Sequence, residues 1–321
     1  MNNAAPGRLA SLDLGTNTFL LLIAEMTAEQ ITPVVDRETI VRLGKGVDVA
    51  GNLNAAAMQR GYACLQEYAA LARQQNVEKI FAVGTSALRD AANRAEFLDA
   101  ALAQTGVRIE VISGEKEARL TFAGTISNKT NLPGPLAVLD IGGGSTEVVI
   151  GEAVLFSTPE NSLQARSADI GSVRLTERFI QNDPVQPEEV MQLRRHAETV
   201  MRATWPAASL APVKMLIGTA GTITTLAAMA QAMGEYDAAR IDGYMLTRQK
   251  LGELIMALRQ RSVAQRCELP GLSAARADVI LAGAIILETF LDIYKFPELL
   301  VSDRGLRFGV LVEAAVGLAR G

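Results

Sequence analysis

The chain has 321 residues, 49% of them hydrophobic, with 31 Lys and Arg against 35 Asp and Glu for a net charge of −4. That length predicts about two domains, the apolar share is ample for two cores, and a near-balanced charge speaks against a general nucleic-acid or membrane-surface binder, so a polyanionic ligand would need locally placed arginines. Two distant cysteines, Cys64 and Cys267, give neither a disulfide framework nor a zinc site and read as small buried hydrophobes; with no signal-like N-terminus and no apolar run long enough to span a bilayer, the expectation is a soluble, cytoplasmic protein.

After a short polar tail, residues 9–25 read as a strand, a tight turn and a returning strand around Asp13-Leu-Gly15-Thr16-Asn17-Thr18. Residues 54–75 carry apolar side chains at helical spacing behind a capping Asn54, and 79–83 form a short buried strand running into Gly84-Thr-Ser-Ala-Leu-Arg89. Residues 92–104 are a helix closed by Gly106, 108–112 another strand, and a further helix opens at Ser113-Gly114. On that helix Glu117, Leu120, Thr121 and Gly124 share one face, while Glu115 and Arg119 are spaced to pair on the outer side. A carboxylate on a buried face needs a partner or a task. Glu117 is either a base near a phosphate site or the ion-pair partner of a basic residue of the neighbouring domain, and spacing leaves both open.

Polar, Pro- and Gly-bearing residues place a domain boundary around 124–135. Residues 136–152 then repeat the strand, turn and strand pattern around Asp140-Ile-Gly142-Gly143-Gly144-Ser145-Thr-Glu147. Consecutive glycines let a ligand approach main-chain N–H groups, as a phosphate cradle requires. Asp140 and Glu147 are hard oxygen donors of the kind Mg²⁺ takes beside a substrate phosphate. No Gly-Lys-Ser/Thr follows and no G-x-G-x-x-G opens a helix, which excludes the usual nucleotide loops. Laid over the first hairpin, Asp13 falls on Asp140, Gly15 on Gly142, Thr18 on Ser145 and Glu25 on Glu152 without a gap, an internal repeat that implies two similar domains.

Residues 157–172 are polar and carry no assignable element, and Gly171 opens a helix. Residues 187–205 form a helix with Pro187 at its first position; the single histidine, His196, lies on its solvated face, so no catalytic histidine is expected. Residues 214–228 read as a strand, a turn Gly218-Thr219-Ala-Gly221-Thr222 and a helix whose start can hold an anion, the preferred reading over a plain connection. Helices follow at 246–261 and 273–291, the latter with an Arg276/Asp278 pair fixing its start. The chain closes with a strand, a turn and a final helix that packs back on the first domain.

Taken together, Asp13-Leu-Gly-Thr-Asn-Thr, Asp140-Ile-Gly-Gly-Gly-Ser-Thr-Glu147 and Gly218-Thr-Ala-Gly-Thr222 resemble the phosphate motifs of the acetate kinase, sugar kinase, heat-shock ATPase and actin superfamily. Within it, Gly84-Thr-Ser-Ala-Leu-Arg89, Ser113-Gly-x-x-Glu117-Ala-Arg-Leu and Ser302-Asp-x-Gly-Leu-Arg307-x-Gly look like the exopolyphosphatase and guanosine pentaphosphate phosphohydrolase family, in its short two-domain form without the extra C-terminal helical domains of longer relatives. The resemblance implies an α/β fold of two ribonuclease-H-like (actin-like) domains, mixed sheets flanked by helices, with the active site in the interdomain cleft. Domain I is then 1–124 plus 303–321 and domain II 125–302. It also implies Glu117 as the base that activates water and Arg89 as a phosphate-binding arginine. Thr16, Asn17, Gly143, Gly144, Ser145, Thr219 and Gly221 become phosphate donors, and Asp140 and Glu147, with Asp13 as their counterpart, the candidate ligands of Mg²⁺.

The implied substrate is inorganic polyphosphate or guanosine pentaphosphate (pppGpp), with no nucleic acid or membrane partner, and a homodimer stays open. A small-molecule kinase or ATPase of the same superfamily, and a non-enzymatic polyphosphate or alarmone sensor, are the competing expectations.

Overall fold

The computed structural model describes residues 7–27, 30–153 and 163–320. Its strands are β1 (Arg8–Leu14), β2 (Thr18–Met26), β3 (Ile31–Ile40), β4 (Lys79–Gly84), β5 (Ile109–Val111), β6 (Leu136–Ile141), β7 (Thr146–Gly151), β8 (Gln164–Ala168), β9 (Met215–Thr219), β10 (Met245–Thr247) and β11 (Glu298–Val301). Its helices are α1 (Val47–Ala50), α2 (Ala55–Gln74), α3 (Ser86–Asp90), α4 (Arg94–Thr105), α5 (Gly114–Ile126), α6 (Ser172–Phe179), α7 (Pro187–Thr204), α8 (Ala207–Leu210), α9 (Ala220–Ala230), α10 (Ala238–Ile241), α11 (Arg248–Arg259), α12 (Val263–Arg266), α13 (Ile280–Tyr294) and α14 (Leu306–Arg320).

Two compact units result, Met1–Asn128 with Leu306–Gly321, and Lys129–Gly305. In the first, the sheet order is β3-β2-β1-β4-β5, with β1 antiparallel to β2 and parallel to β4. Because β1 is central its apolar residues serve both faces. Ala10, Leu12 and Leu14 pack with Met58, Tyr62 and Leu65 of α2, while Leu9 on the other face meets Phe308, Leu311 and Val312 of α14. The last helix therefore closes the first unit's core, and it lies so close to α5 that a Cβ on Gly309 would sit 1.8 Å from the Leu120 carbonyl oxygen.

In the second unit the order is β10-β11-β9-β6-β7-β8. Reading outward from β8, the strands repeat the first sheet's order and directions: β6 is antiparallel to β7 and parallel to β9, as β1 is to β2 and β4. The hairpin repeat is thus the visible part of a repeated five-stranded ribonuclease-H-like sheet. All six residues of β6 are buried. The apolar α13 packs into the same core through Leu281, Ile285 and Phe290, each contributing roughly 1.5–3 kcal/mol of burial.

Several sequence expectations need correction. The sequence reading has no strand at β3, β8 or β10; all three are sheet edges, and β3 exposes most of its residues, so no apolar alternation marks it. The expected helix at 246–261 gives its first residues to β10, and that at 273–291 begins as a 3-10 turn, Ala274–Arg276. Cys64 is buried but Cys267 is exposed. His196 is half-buried, its ring 5.2 Å from that of Phe179. Arg119 makes no ion pair with Glu115; its Nε is buried without a partner. Of the unassigned stretch 157–172, residues up to 162 lie outside the described residues.

Candidate active site

In the first unit the β1–β2 turn is closed by Gly15 N–H donating to the Thr18 carbonyl at 3.0 Å, and a Cβ on Gly15 would lie 2.9 Å from that oxygen. Thr16 and Asn17 form the tip, 7% and 6% exposed. Their carbonyls accept from Gly44 and Arg42 N–H, each at 2.8 Å, yet Thr16 Oγ1 and Asn17 Nδ2 are buried without any partner. Such groups cost about 1–3 kcal/mol each when left unsatisfied, so their persistence points to a ligand that satisfies them.

The end of β4 abuts this turn, Thr85 N–H donating to the Leu14 carbonyl at 3.2 Å, and α3 then carries Arg89. Arg89 Nη1 donates to the Ile112 carbonyl at 3.2 Å and to Glu117 Oε2 at 2.5 Å. Glu117 therefore has its cation within its own unit, not from the neighbouring one. It sits in the first turn of α5, whose cap Ser113 accepts from Lys116 N–H at 3.2 Å. Burial pushes its carboxyl above the ordinary glutamate range, and the charge and hydrogen bond of Arg89 pull the other way without reversing it.

In the second unit the β6–β7 turn carries the same bond, Gly142 N–H to the Ser145 carbonyl at 3.0 Å. Here the three glycine carbonyls face α6: Gly142 O accepts from Ser172 N–H at 2.9 Å, Gly143 O from Val173 and Arg174 N–H at 2.9 and 3.1 Å, and Gly144 O from Arg174 Nε at 2.7 Å. In a trans peptide the following N–H points opposite to the C=O. The N–H groups of Gly143, Gly144 and Ser145 are consequently turned away from α6, the side on which an anion would be met.

Asp140 and Glu147 are direct cross-strand partners, both buried, and Glu147 Oε1 accepts from Ser167 Oγ at 2.7 Å. Among the described residues no three His, Cys, Asp or Glu side chains gather as a metal-ligating group, and Asp13 has Leu20, not a carboxylate, opposite it. Of the three expected carboxylates, Asp140 and Glu147 are brought together within one hairpin. Two adjacent hard oxygen donors still fit Mg²⁺, which keeps several waters and takes its other ligands from substrate phosphate.

At the β9–α9 junction Ala220 adopts a left-handed φ of 69°, and the Thr219 hydroxyl donates to the Arg304 carbonyl at 3.0 Å. Gly221 is required by Arg276, whose Nη1 would lie 2.4 Å from a Cβ there. Sequence reasoning gave Arg276 only a helix-capping task; its guanidinium is 8%-exposed residue surface laid against the start of α9, a contact between segments too far apart for spacing to show.

Paired glycine turns, buried donors, an arginine–glutamate pair and a carboxylate pair on an actin-like fold define a phosphate-handling protein. The Ppx/GppA phosphatase family profile matches residues 22–316. The chain is 37% identical to exopolyphosphatase 2 of Mycobacterium tuberculosis, over 96% of this chain and 98% of that protein. Among solved structures it is similar to an Aquifex aeolicus Ppx/GppA family member at TM-score 0.80 and 32% identity, covering 97% of this chain and 98% of that one. An exopolyphosphatase from Cytophaga hutchinsonii matches at TM-score 0.87 and 27% identity, covering 97% and 98%. The chain belongs to the Ppx/GppA phosphatase family and is a hydrolase of phosphoanhydride bonds. Among the described residues no helix is long and apolar enough to cross a membrane.

Proposed function

We propose that this chain releases terminal orthophosphate from inorganic polyphosphate, and that pppGpp, cleaved at its 5′-terminal phosphate, is the second substrate to test. The observation that carries the reading is the Arg89–Glu117 pair at 2.5 Å in the same unit as a phosphate turn with two unsatisfied buried donors. The name of the mycobacterial relative supports the substrate class.

In this reading Arg89 binds the terminal phosphoryl group, and its shift toward phosphate frees Glu117 to accept a proton from an attacking water. Thr16 and Asn17 supply side-chain donors; Gly143, Gly144, Ser145, Thr219 and Gly221 supply main-chain N–H groups; and Arg276 adds a cation beside Gly221. Asp140 and Glu147 would hold Mg²⁺, which when bound supplies charge neutralisation on the phosphates. Glu147 is kept in place by Ser167, and Glu117 by the first turn of its helix. Nothing in the reading asks for nucleic acid or a membrane, and a cytoplasmic site of action fits it.

The test is Glu117→Gln assayed with long polyphosphate, tripolyphosphate, pppGpp and ATP. Turnover should fall about 10²- to 10⁴-fold, the usual worth of a positioned base, while polyphosphate binding persists. Undiminished turnover sinks the assignment of Glu117, and transfer from ATP to an acceptor would move the chain to the kinase reading.

A further inference from the structure

We infer that Asp242 is a positioning residue whose carboxylate ties both passages of the chain between the two units to the Gly218–Thr219 turn, an inference that rests on the phosphate-donor role given to that turn above. The chain leaves the first unit between residues 128 and 129 and returns to it between 305 and 306. At the first passage Asp242 Oδ1 accepts from Lys129 Nζ at 2.8 Å. At the second it accepts from Ser302 Oγ and from Asp303 N–H, each at 3.2 Å. The motif Ser302-Asp-x-Gly has no task in the proposed chemistry, and these bonds give it one.

The sheet does not hold this region by itself. The parallel register of β11 on β9 ends with Val301 opposite Gly218, and Ser302 N–H still donates to the Gly218 carbonyl at 2.8 Å. Beyond that point side chains carry the pairing on. Thr219 Oγ1 donates to the Arg304 carbonyl at 3.0 Å, and Ser302 Oγ accepts from Arg304 N–H at 3.2 Å. Gly305 lies so near that a Cβ there would sit 3.0 Å from Thr219 Oγ1. The Ser302 proton has two acceptors at 3.2 Å, Asp242 Oδ1 and the Arg304 carbonyl. A hydrogen bond to a charged group is roughly twice as strong as a neutral one, so the carboxylate wins.

Asp242 is itself fixed where it follows α10. Gly243 N–H donates to the Val301 carbonyl and Val301 N–H to the Tyr244 carbonyl, each at 2.8 Å, while the Tyr236 hydroxyl bonds the Asp303 carboxylate. The Lys129 side chain is only 9% exposed, and burying a cation is costly unless it is paired. That burial separates this contact from an exposed ion pair, which contributes little. A disturbance at Lys129 is therefore carried through Asp242, Ser302 and Arg304 to Thr219.

The experiment measures amide hydrogen exchange in the ligand-free parent, Lys129→Met, Asp242→Asn and the double variant, with kcat/KM for tripolyphosphate measured on the same samples. Methionine keeps the buried stem of Lys129, and in that variant Asp242 keeps its bonds from Ser302 and Asp303, so the fold is retained. Each single variant should speed exchange about five- to tenfold at residues 218–222 and 302–305, the loss of one charge-assisted contact. Exchange in α13 should stay unchanged, and kcat/KM should fall by a similar factor. The double variant should be no worse than Asp242→Asn alone, since both changes break one pair. Unchanged exchange at 218–222 in Lys129→Met, or additive losses in the double variant, overturns the assignment. Faster exchange spread over the whole second unit, α13 included, means that Asp242 serves only the fold and overturns it equally. A parent chain that releases no orthophosphate fails the polyphosphate reading, and the exchange pattern then still supports or overturns the tie through Asp242.

Discussion

The two phosphate turns share one backbone and differ in everything presented to a ligand. Both close with the same glycine N–H to carbonyl bond at 3.0 Å, and both start from an aspartate at the end of a central strand. The first turn then spends side chains: Thr16 and Asn17 are buried and unsatisfied, and the Arg89–Glu117 pair lies in the same unit. The second spends main chain, its carbonyls bound to α6 and its N–H groups turned outward. Opposite the aspartate stands Leu20 in one hairpin and Glu147 in the other. In the proposed reading, a duplicated unit is divided into a half that would carry the base and a half that would carry metal.

Breaking the base half should have the largest effect. Glu117 with an elevated pKa must lose its proton to act, so kcat/KM should fall as pH drops through a value above the ordinary glutamate range of about 4.3. Glu117→Gln should abolish that acid limb along with most turnover, and a limb unchanged in the variant would assign it elsewhere. The stability sign is opposite to that of a carboxylate whose pKa is lowered on folding, because burial here outweighs the pull of Arg89. Because the folded state holds this proton more tightly, Glu117's contribution is full below its unfolded pKa and fades as pH rises through the folded one. Denaturant titrations of parent and variant across that window should show the decline only in the parent.

Making the second hairpin like the first is the next test. Glu147→Leu copies Leu20 and leaves Asp140 alone; activity should fall at least about a hundredfold and the Mg²⁺ concentration for half-maximal rate should rise. Full activity with unaltered metal demand would remove the carboxylate pair from the chemistry.

Thr16→Val then probes the donors that only the first turn has. Removing an unsatisfied buried hydroxyl should leave stability unchanged or raise it by up to about 1 kcal/mol, while KM for polyphosphate rises about fivefold. A destabilised variant with normal KM would mean the hydroxyl serves the fold. The smallest effect is expected at the Arg307–Asp36 bridge within the first unit, 2.9 Å long with Asp36 35% exposed. Asp36→Asn should cost no more than about 1 kcal/mol in a thermal melt, and less at high salt.

Much of this was legible in the sequence because the turn chemistry is local. A glycine that closes a hairpin, an aspartate before it and apolar strands on either side all fall within one short window, so the repeat could be read directly. Glu117's inward face followed from helical spacing for the same reason. Its partner did not, since Arg89 reaches it across a strand and another helix, and spacing cannot choose between a cation of the same unit and one of the other. Arg276 escaped because its approach to Gly221 joins segments distant in sequence. Edge strand β3 escaped because an exposed ribbon needs no apolar period, and β8 because its buried positions are alanines, too small to mark a strand.

Gly309 contributes no functional group, yet the missing side chain lets α14 lie against the carbonyl of Leu120, one turn beyond Glu117 on the same helix. The position of α5, and with it that of the candidate base, therefore depends on how closely α14 packs against it. Adding a methyl group at Gly309 should push α5 outward and change turnover at constant affinity, a tuning screw for rate that leaves every phosphate contact in place.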